Sequence, residues 1–158
     1  MTRSIYKQRL LTLLTAVFAL FALLLMHPAA GAVDADDELV GANIQDGVLL
    51  GYYGLGGDIV LPNTVTKIGD EALKGNKKIT GITIPASVRD IGNNAFEGCI
   101  NLERVTFTSP DKATGNLLIR VSAFQDCPKL TKCEIPARAY QVVGNIFKGC
   151  TSLKEVEV

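Results

Sequence analysis

Tryptophan is absent from this 158-residue chain, histidine occurs once, and aromatic residues make up only 6%. The single histidine is His27, which falls in an N-terminal segment expected to be removed. Without it the remaining chain has no imidazole, which excludes Ser-His-Asp and Cys-His nucleophilic machinery and every histidine metal site. An excess of one charge is lacking too, with 16 basic and 16 acidic residues. A basic stripe interleaved with stacking rings, the sequence mark of a nucleic-acid binder, is therefore missing.

Acidic residues are also missing from the first 32 positions. Arg3, Lys7 and Arg9 precede an apolar run of 17 residues from Leu10 to Met26, softened only by Thr12 and Thr15, and Ala30-Gly31-Ala32 follows. A basic start, an apolar centre and a small-residue site define a secretory signal peptide over residues 1–32. The alternative is an uncleaved signal anchor, the one expected route to a membrane. In both cases the basic flank keeps the N-terminus inside, so the rest of the chain lies outside. Loss of three basic residues leaves 13 against 16 acidic, a net charge of −3. That balance gives no steering toward nucleic acid or anionic lipid. No lipobox cysteine follows the signal. The expected location is secreted or on the extracellular face of the cell surface.

What is present is a repeat. Apolar strands begin at Ile59, Ile82, Val105, Cys133 and Val156, at offsets of 23, 23, 28 and 23 residues. A fixed period of this size marks a solenoid whose units stack on their neighbours and cannot bury enough alone. The expected organisation is a signal at 1–32, an N-terminal cap at 33–58, and repeats at 59–81, 82–104, 105–132, 133–155 and, in part, 156–158. The strand spacing L-x-x-V-x-F appears as Leu102, Val105, Phe107; as Ile79, Ile82, Ile84; as Leu130, Cys133, Ile135; and as Leu153, Val156, Val158. It matches the strand of a leucine-rich repeat. Alternation sends the named residues inward and those between them outward. Pro62, Pro85 and Pro136 end three of the strands, because proline cannot donate to a ladder. Val65 with Ile68, and Val88 with Ile91, predict shorter strands or turns on the opposite side. Ala72-Leu73, Ala95-Phe96, Ala123-Phe124 and Ile146-Phe147 predict tight turns that drop a large side chain into the core. The fold class is mainly β, a leucine-rich repeat solenoid with a parallel strand ladder and an N-terminal β cap.

Asp34 to Glu38 reads as a solvated start, without the spaced ligands and turn glycine of a calcium loop. Ile44 to Leu50 reads as a strand pair broken by the hairpin dipeptide Asp46-Gly47. With Tyr52, Tyr53 and the glycines around them, it is expected to cap the solenoid and cover an edge. The third repeat carries five extra residues, and its polar 108–116 stretch with Pro110 and Gly115 predicts a surface loop. Such insertions often map to a binding face, although tolerated variation is the plainer reading. Leu61-Pro-Asn-Thr64 has the beginning of a cell-wall sorting signal, but Val65 stands where glycine is needed, so it is a strand end. The last strand stops as it begins. The expectation is a piece of a longer repeat protein, or an end covered by something else.

Ile84 to Val105 reads IPASVRDIGNNAFEGCINLERV. This is similar to the BspA-like leucine-rich repeat family, whose motif is I-P-x-x-V-x-x-I-G-x-x-A-F-x-G-C-x-x-L-x-x-V/I. The resemblance covers roughly Ile44 to Val158. The first copy departs with Leu73 and Asn76, the third lacks the proline and the glycine, and the fourth is shifted at Val143-Gly144. The resemblance implies a secreted or surface-attached protein, often bacterial, that binds host proteins, matrix or other cells, and it brings no shared catalytic residues.

Cys99, Cys127 and Cys150 share one repeat position and should form a column, with Asn76 as the first copy's equivalent. Neighbouring strands about 4.7–4.9 Å apart lie within disulfide range, and export permits a disulfide. Buried free thiols are the favoured reading, a disulfide the second, and metal or redox chemistry the last. Cys133 aligns with Ile82 and Val105 as plain core.

The outward strand positions are Asp58 and Val60, Gly81 and Thr83, Arg104 and Thr106, Lys132 and Glu134, and Glu155 and Glu157. Thr83, Arg104, Thr106, Lys132, Glu134, Glu155 and Glu157 are the candidate partner-binding residues. Tyr52, Tyr53 and Tyr140 are further candidate anchors, though capping explains Tyr52 or Tyr53 equally well. No catalytic residue, cofactor or metal is expected. Paired acids such as Glu134 and Glu157 hydrolyse glycosides only at a suitable separation and with one pKa raised, and a smooth ladder lacks the enclosing pocket for that. The expected function is adhesion to an extracellular or host protein or matrix through the sheet face. The alternative is a structural spacer or self-associating module that joins end to end.

Overall fold

A computed structural model of the chain describes residues 39–108 and 115–157. The signal at 1–32, the acidic start at Asp34–Glu38, the inside of the inserted loop and Val158 lie outside the described residues. Residues 33–158 form a single compact unit. Among the described residues no helix is long and apolar enough to cross a membrane.

The hairpin expected around Asp46-Gly47 forms. β1 (Ala42–Gln45) and β2 (Val48–Tyr52) pair antiparallel, with Gln45 opposite Val48 and both turn residues in the left-handed region. The remaining strands are β3 (Gly57–Val60), β4 (Lys67–Ile68), β5 (Ile79–Ile84), β6 (Asp90–Ile91), β7 (Arg104–Phe107), β8 (Leu117–Ile119), β9 (Lys132–Glu134), β10 (Ala139–Val142) and β11 (Glu155–Glu157). They alternate between two sheets. One runs β3-β5-β7-β9-β11, all parallel; the other runs β1-β2-β4-β6-β8-β10, parallel beyond the hairpin. Winding from one sheet to the other and back makes a β-solenoid of about four turns, as the period requires.

Register explains the spacing. Ile59 pairs with Ile82, Ile82 with Val105, Val105 with Cys133, and Cys133 with Val156, so equivalent residues stack in one column. The first four are buried. On the other sheet Leu49, Ile68, Ile91 and Ile119 make the matching column. Between the sheets the prolines begin turns: the carbonyls of Pro62, Pro85 and Pro136 accept from Val65, Val88 and Ala139 at 3.0, 3.1 and 2.8 Å. Val65 is wholly buried, which removes the last trace of a sorting signal at Leu61–Thr64.

A third side carries a backbone ladder that alternation does not reveal. Leu73 N–H donates to Ala95, Phe96 to Ala123 and Phe124 to Ile146, at 2.8, 2.7 and 3.0 Å. Each of these turns holds two left-handed residues: Glu71 and Gly75, Asn94 and Gly98, Ser122 and Asp126, Asn145 and Gly149. Asp126 fills the place where the third copy lacks its glycine, because a short polar side chain tolerates that conformation. The turns drop Leu73, Phe96 and Phe124 into the core as expected, and half-bury Phe147 at the end. Phe96 stacks on Phe124 at 5.0 Å and Phe124 on Phe147 at 5.8 Å between centroids.

The hairpin covers only one edge. β2 pairs with β4 and so extends the second sheet. This is the edge that the cap was expected to cover, and β3 has no strand on its outer side among the described residues.

Candidate functional site

The candidate residues stand on one face, in two columns across the five-stranded sheet. Register aligns Asp58, Gly81, Arg104, Lys132 and Glu155 in one, and Val60, Thr83 and Thr106 in the other, with Glu134 opposite Glu157 further along. Arg104, Thr106 and Lys132 are exposed, while Thr83 and Glu134 are partly covered. Gly81, expected to open outward, is instead buried. The reason is a side-chain bridge: Arg104 reaches over Gly81 to pair with Asp58, two strands away. Thr80 Oγ1 donates to the same carboxylate at 2.9 Å. Lys132 Nζ pairs with Glu134 Oε1 at 2.5 Å along its own strand. The face thus carries two ion pairs, Asp58 with Arg104 and Lys132 with Glu134, and the backbone register sets Glu155 beside Lys132 and Glu157 beside Glu134.

The tyrosines separate. Tyr52 is buried and its hydroxyl accepts from Gly56 N–H at 3.4 Å, so it belongs to the cap. Tyr53 is 77% exposed and Tyr140 59%. Tyr53 joins Leu39, Val40, Leu55 and Ile59 around an open concavity of about 480 Å³ beside β3. The sequence reading missed this concavity. Its one signal was apolar residues scattered through a glycine-rich stretch with no periodicity to bury them.

The cysteine column exists and is reduced. Cys99 Sγ donates to Leu73 O at 3.0 Å, Cys127 to Phe96 O at 3.1 Å, and Cys150 to Phe124 O at 3.0 Å. Each thiol therefore ties its turn to the preceding one. The hydrogen bond with Cys150 pulls the Cys127 thiol down, but the Cys99 thiol and burial outweigh it and push the group up to about 12. Burial pushes Cys133 up to about 12. Cys150 is raised as well, by its hydrogen bond with Cys127 and then by burial. Thiols held neutral in this way are poor nucleophiles and poor metal ligands. Among the described residues no group of three His, Cys, Asp or Glu side chains is placed to hold a metal.

A parallel ladder built on turns of this period, with its strand signature on one sheet, defines a leucine-rich repeat solenoid. The family model for the BspA type leucine rich repeat region matches residues 55–158 in six copies, and the chain belongs to that family. Among solved structures, it is 31% identical to a leucine-rich repeat protein from Bacteroides capillosus ATCC 29799, covering 70% of this chain and 84% of that one with a TM-score of 0.56. A leucine rich cell surface protein from Faecalibacterium prausnitzii A2-165 is 26% identical over 70% of this chain, with a TM-score of 0.53, and the chain spans only 38% of it. A T. pallidum leucine rich repeat protein, 22% identical over 69% of this chain and 62% of its own with a TM-score of 0.50, shares the fold alone. No curated protein matches. The family is a repeat module suited to binding proteins.

Proposed function

We propose that the chain is a secreted or cell-surface module that adheres to an extracellular protein through the outward face of its five-stranded sheet, without catalysis. The observation that carries this reading is the pair of aligned outward columns that the register of the five parallel strands sets on one face. The basic, then apolar, then small-residue start of the chain supports export. The cell-surface protein from F. prausnitzii, which shares the fold, supports an outside location.

The test is biolayer interferometry of the full chain against immobilised, purified extracellular-matrix and host-surface proteins. Saturable binding to one of them is expected, weakened about tenfold by reversing Lys132 and Glu134 together, since surface charge pairs at interfaces act at this scale. Binding unchanged by that reversal, or no saturable binding by a folded chain, would overturn the reading. A second reading, a spacer that joins end to end, is favoured by the outer side of β3, which carries no strand among the described residues. It requires the sedimentation coefficient of the full chain to rise with concentration.

A further inference from the structure

Away from the sheet face, at the turns entering the second sheet, two arginines lie near one another, and among the described residues no carboxylate pairs with either. Arg138 lies just before β10, and its Nη1 donates to Val88 O at 2.8 Å, reaching back across the third turn. Its Nε and Nη2 are buried and have no hydrogen-bond partner. Arg89, just before β6, is near enough that its charge, after burial, helps to lower the Arg138 pKa. Arg89 Nη1 is spent on Ala86 O at 2.6 Å. Gly115 packs closely against the Arg89 guanidinium, where an added Cβ would lie 2.9 Å from Nε.

The same fold shows what such an edge ordinarily holds. Arg120 presents Nε and Nη2 to Asp90, at 2.7 Å to Oδ1 and 3.0 Å to Oδ2, a two-point grip on one carboxylate. The fork geometry of guanidinium matches carboxylate, sulfate and phosphate oxygens in this bidentate way. Arg138 offers the identical pair of nitrogens to nothing. A buried cationic donor left unpaired is costly, and a second positive charge beside it adds to the deficit. An anion accepting from that edge would relieve both at once.

We propose that Arg138 and Arg89 form a binding site for an oxyanion, the carboxylate, sulfate or phosphate group of a ligand, gripped by Nε and Nη2 of Arg138 and held by the charge of Arg89. The site is separate from the sheet face and does not depend on the adhesive reading.

The test is an NMR titration of the full chain with inorganic phosphate, at ionic strength held constant with chloride so that general salt effects cancel. The Arg138 Nε–H resonance, identified by its loss in Arg138→Lys, should shift saturably. Arg89→Gln should weaken phosphate about tenfold, the worth of one charge-assisted contact. Arg138→Lys keeps the charge but loses the fork, and the other resonances should then show no saturable phosphate response. A wild-type Nε–H signal that does not move overturns the proposal.

Discussion

Cys127 Sγ donates to Phe96 O at 3.1 Å, and Asn76 Nδ2 donates to Tyr52 O at 3.2 Å. The two side chains occupy the same place in their turns and satisfy the same kind of acceptor in the turn before. A thiol does this where the turn is buried, and a carboxamide does it at the N-terminal end, where water is near. Asn76 Oδ1 also accepts from Lys78 and Ile79 N–H at 2.8 and 3.1 Å. The column is thus a set of hydrogen-bonded ties rather than a disulfide framework, and the family consensus cysteine stands for a donor.

Because folding holds these thiols neutral, alkali should unfold the protein through them. Cys127 and Cys133 move from an ordinary 9.0 up to about 12. The folded state then keeps protons that the unfolded chain gives up as pH rises above about 9. The stabilising contribution is complete below that pH and is lost progressively up to about pH 12, at about 1.4 kcal/mol per unit for each thiol. Lysine and tyrosine titrate in the same window, so the comparison is with Cys133→Val, which copies Val105 in the aligned column. Urea unfolding at about pH 8 and about pH 10.5 should show a shallower decline in the variant. Equal declines would mean that Cys133 is not held neutral.

The parts of the fold that the sequence revealed were those set by alternation and period. Ile59, Ile82 and Val105 announced one sheet, Ile68 and Ile91 the other, and Phe96 and Phe124 the core turns. What stayed hidden were contacts between turns made by long or polar side chains. Gly81 reads as an open outward position, and only the reach of Arg104 to Asp58 covers it. Arg138 bonds to a carbonyl 50 residues away, a relation that no local pattern encodes. The backbone ladder of the third side was hidden because it joins turns: the repeating Ala-Phe pairs mark where the turns fall, but no side-chain pattern marks hydrogen bonds between them. The outward face was legible as a surface, but nothing in its residue types names a partner.

Two glycines at close approaches should respond very differently to alanine. At Gly92 an added Cβ would lie 2.6 Å from both Asp70 N and Gly69 C, so the backbone of the neighbouring turn must shift. At Gly81 the nearest atom, 2.5 Å away, is Asp58 Oδ1, the end of a side chain free to swing aside. Gly92→Ala should cost about 2–3 kcal/mol through overpacking. Gly81→Ala should cost under about 1 kcal/mol, the worth of the exposed Asp58–Arg104 pair it disturbs. Thermal unfolding of both variants decides it, and a reversed order would mean that the turns do not stack as tightly as described.

The ring stack makes the strongest demand on the core. Phe124 is wholly buried and touches a ring on each side, at 5.0 Å from Phe96 and 5.8 Å from Phe147. Phe96 has one ring contact and, on its other side, the turn of Leu73, which is itself buried. The first copy therefore shows that leucine fits this position when no second ring depends on it. Phe124→Leu removes two ring pairings and should cost about 1–3 kcal/mol, whereas Phe96→Leu removes one and should cost about half as much. Phe124→Ala, which leaves a cavity as well, should cost about 3–5 kcal/mol. Phe147 is only half-buried, so Phe147→Ala should fall well below that. Urea midpoints for the four variants should rank Phe124→Ala as the least stable and Phe96→Leu above Phe124→Leu. Equal losses for the two leucine variants would show that the rings contribute by bulk alone, and that stacking along the solenoid axis adds nothing.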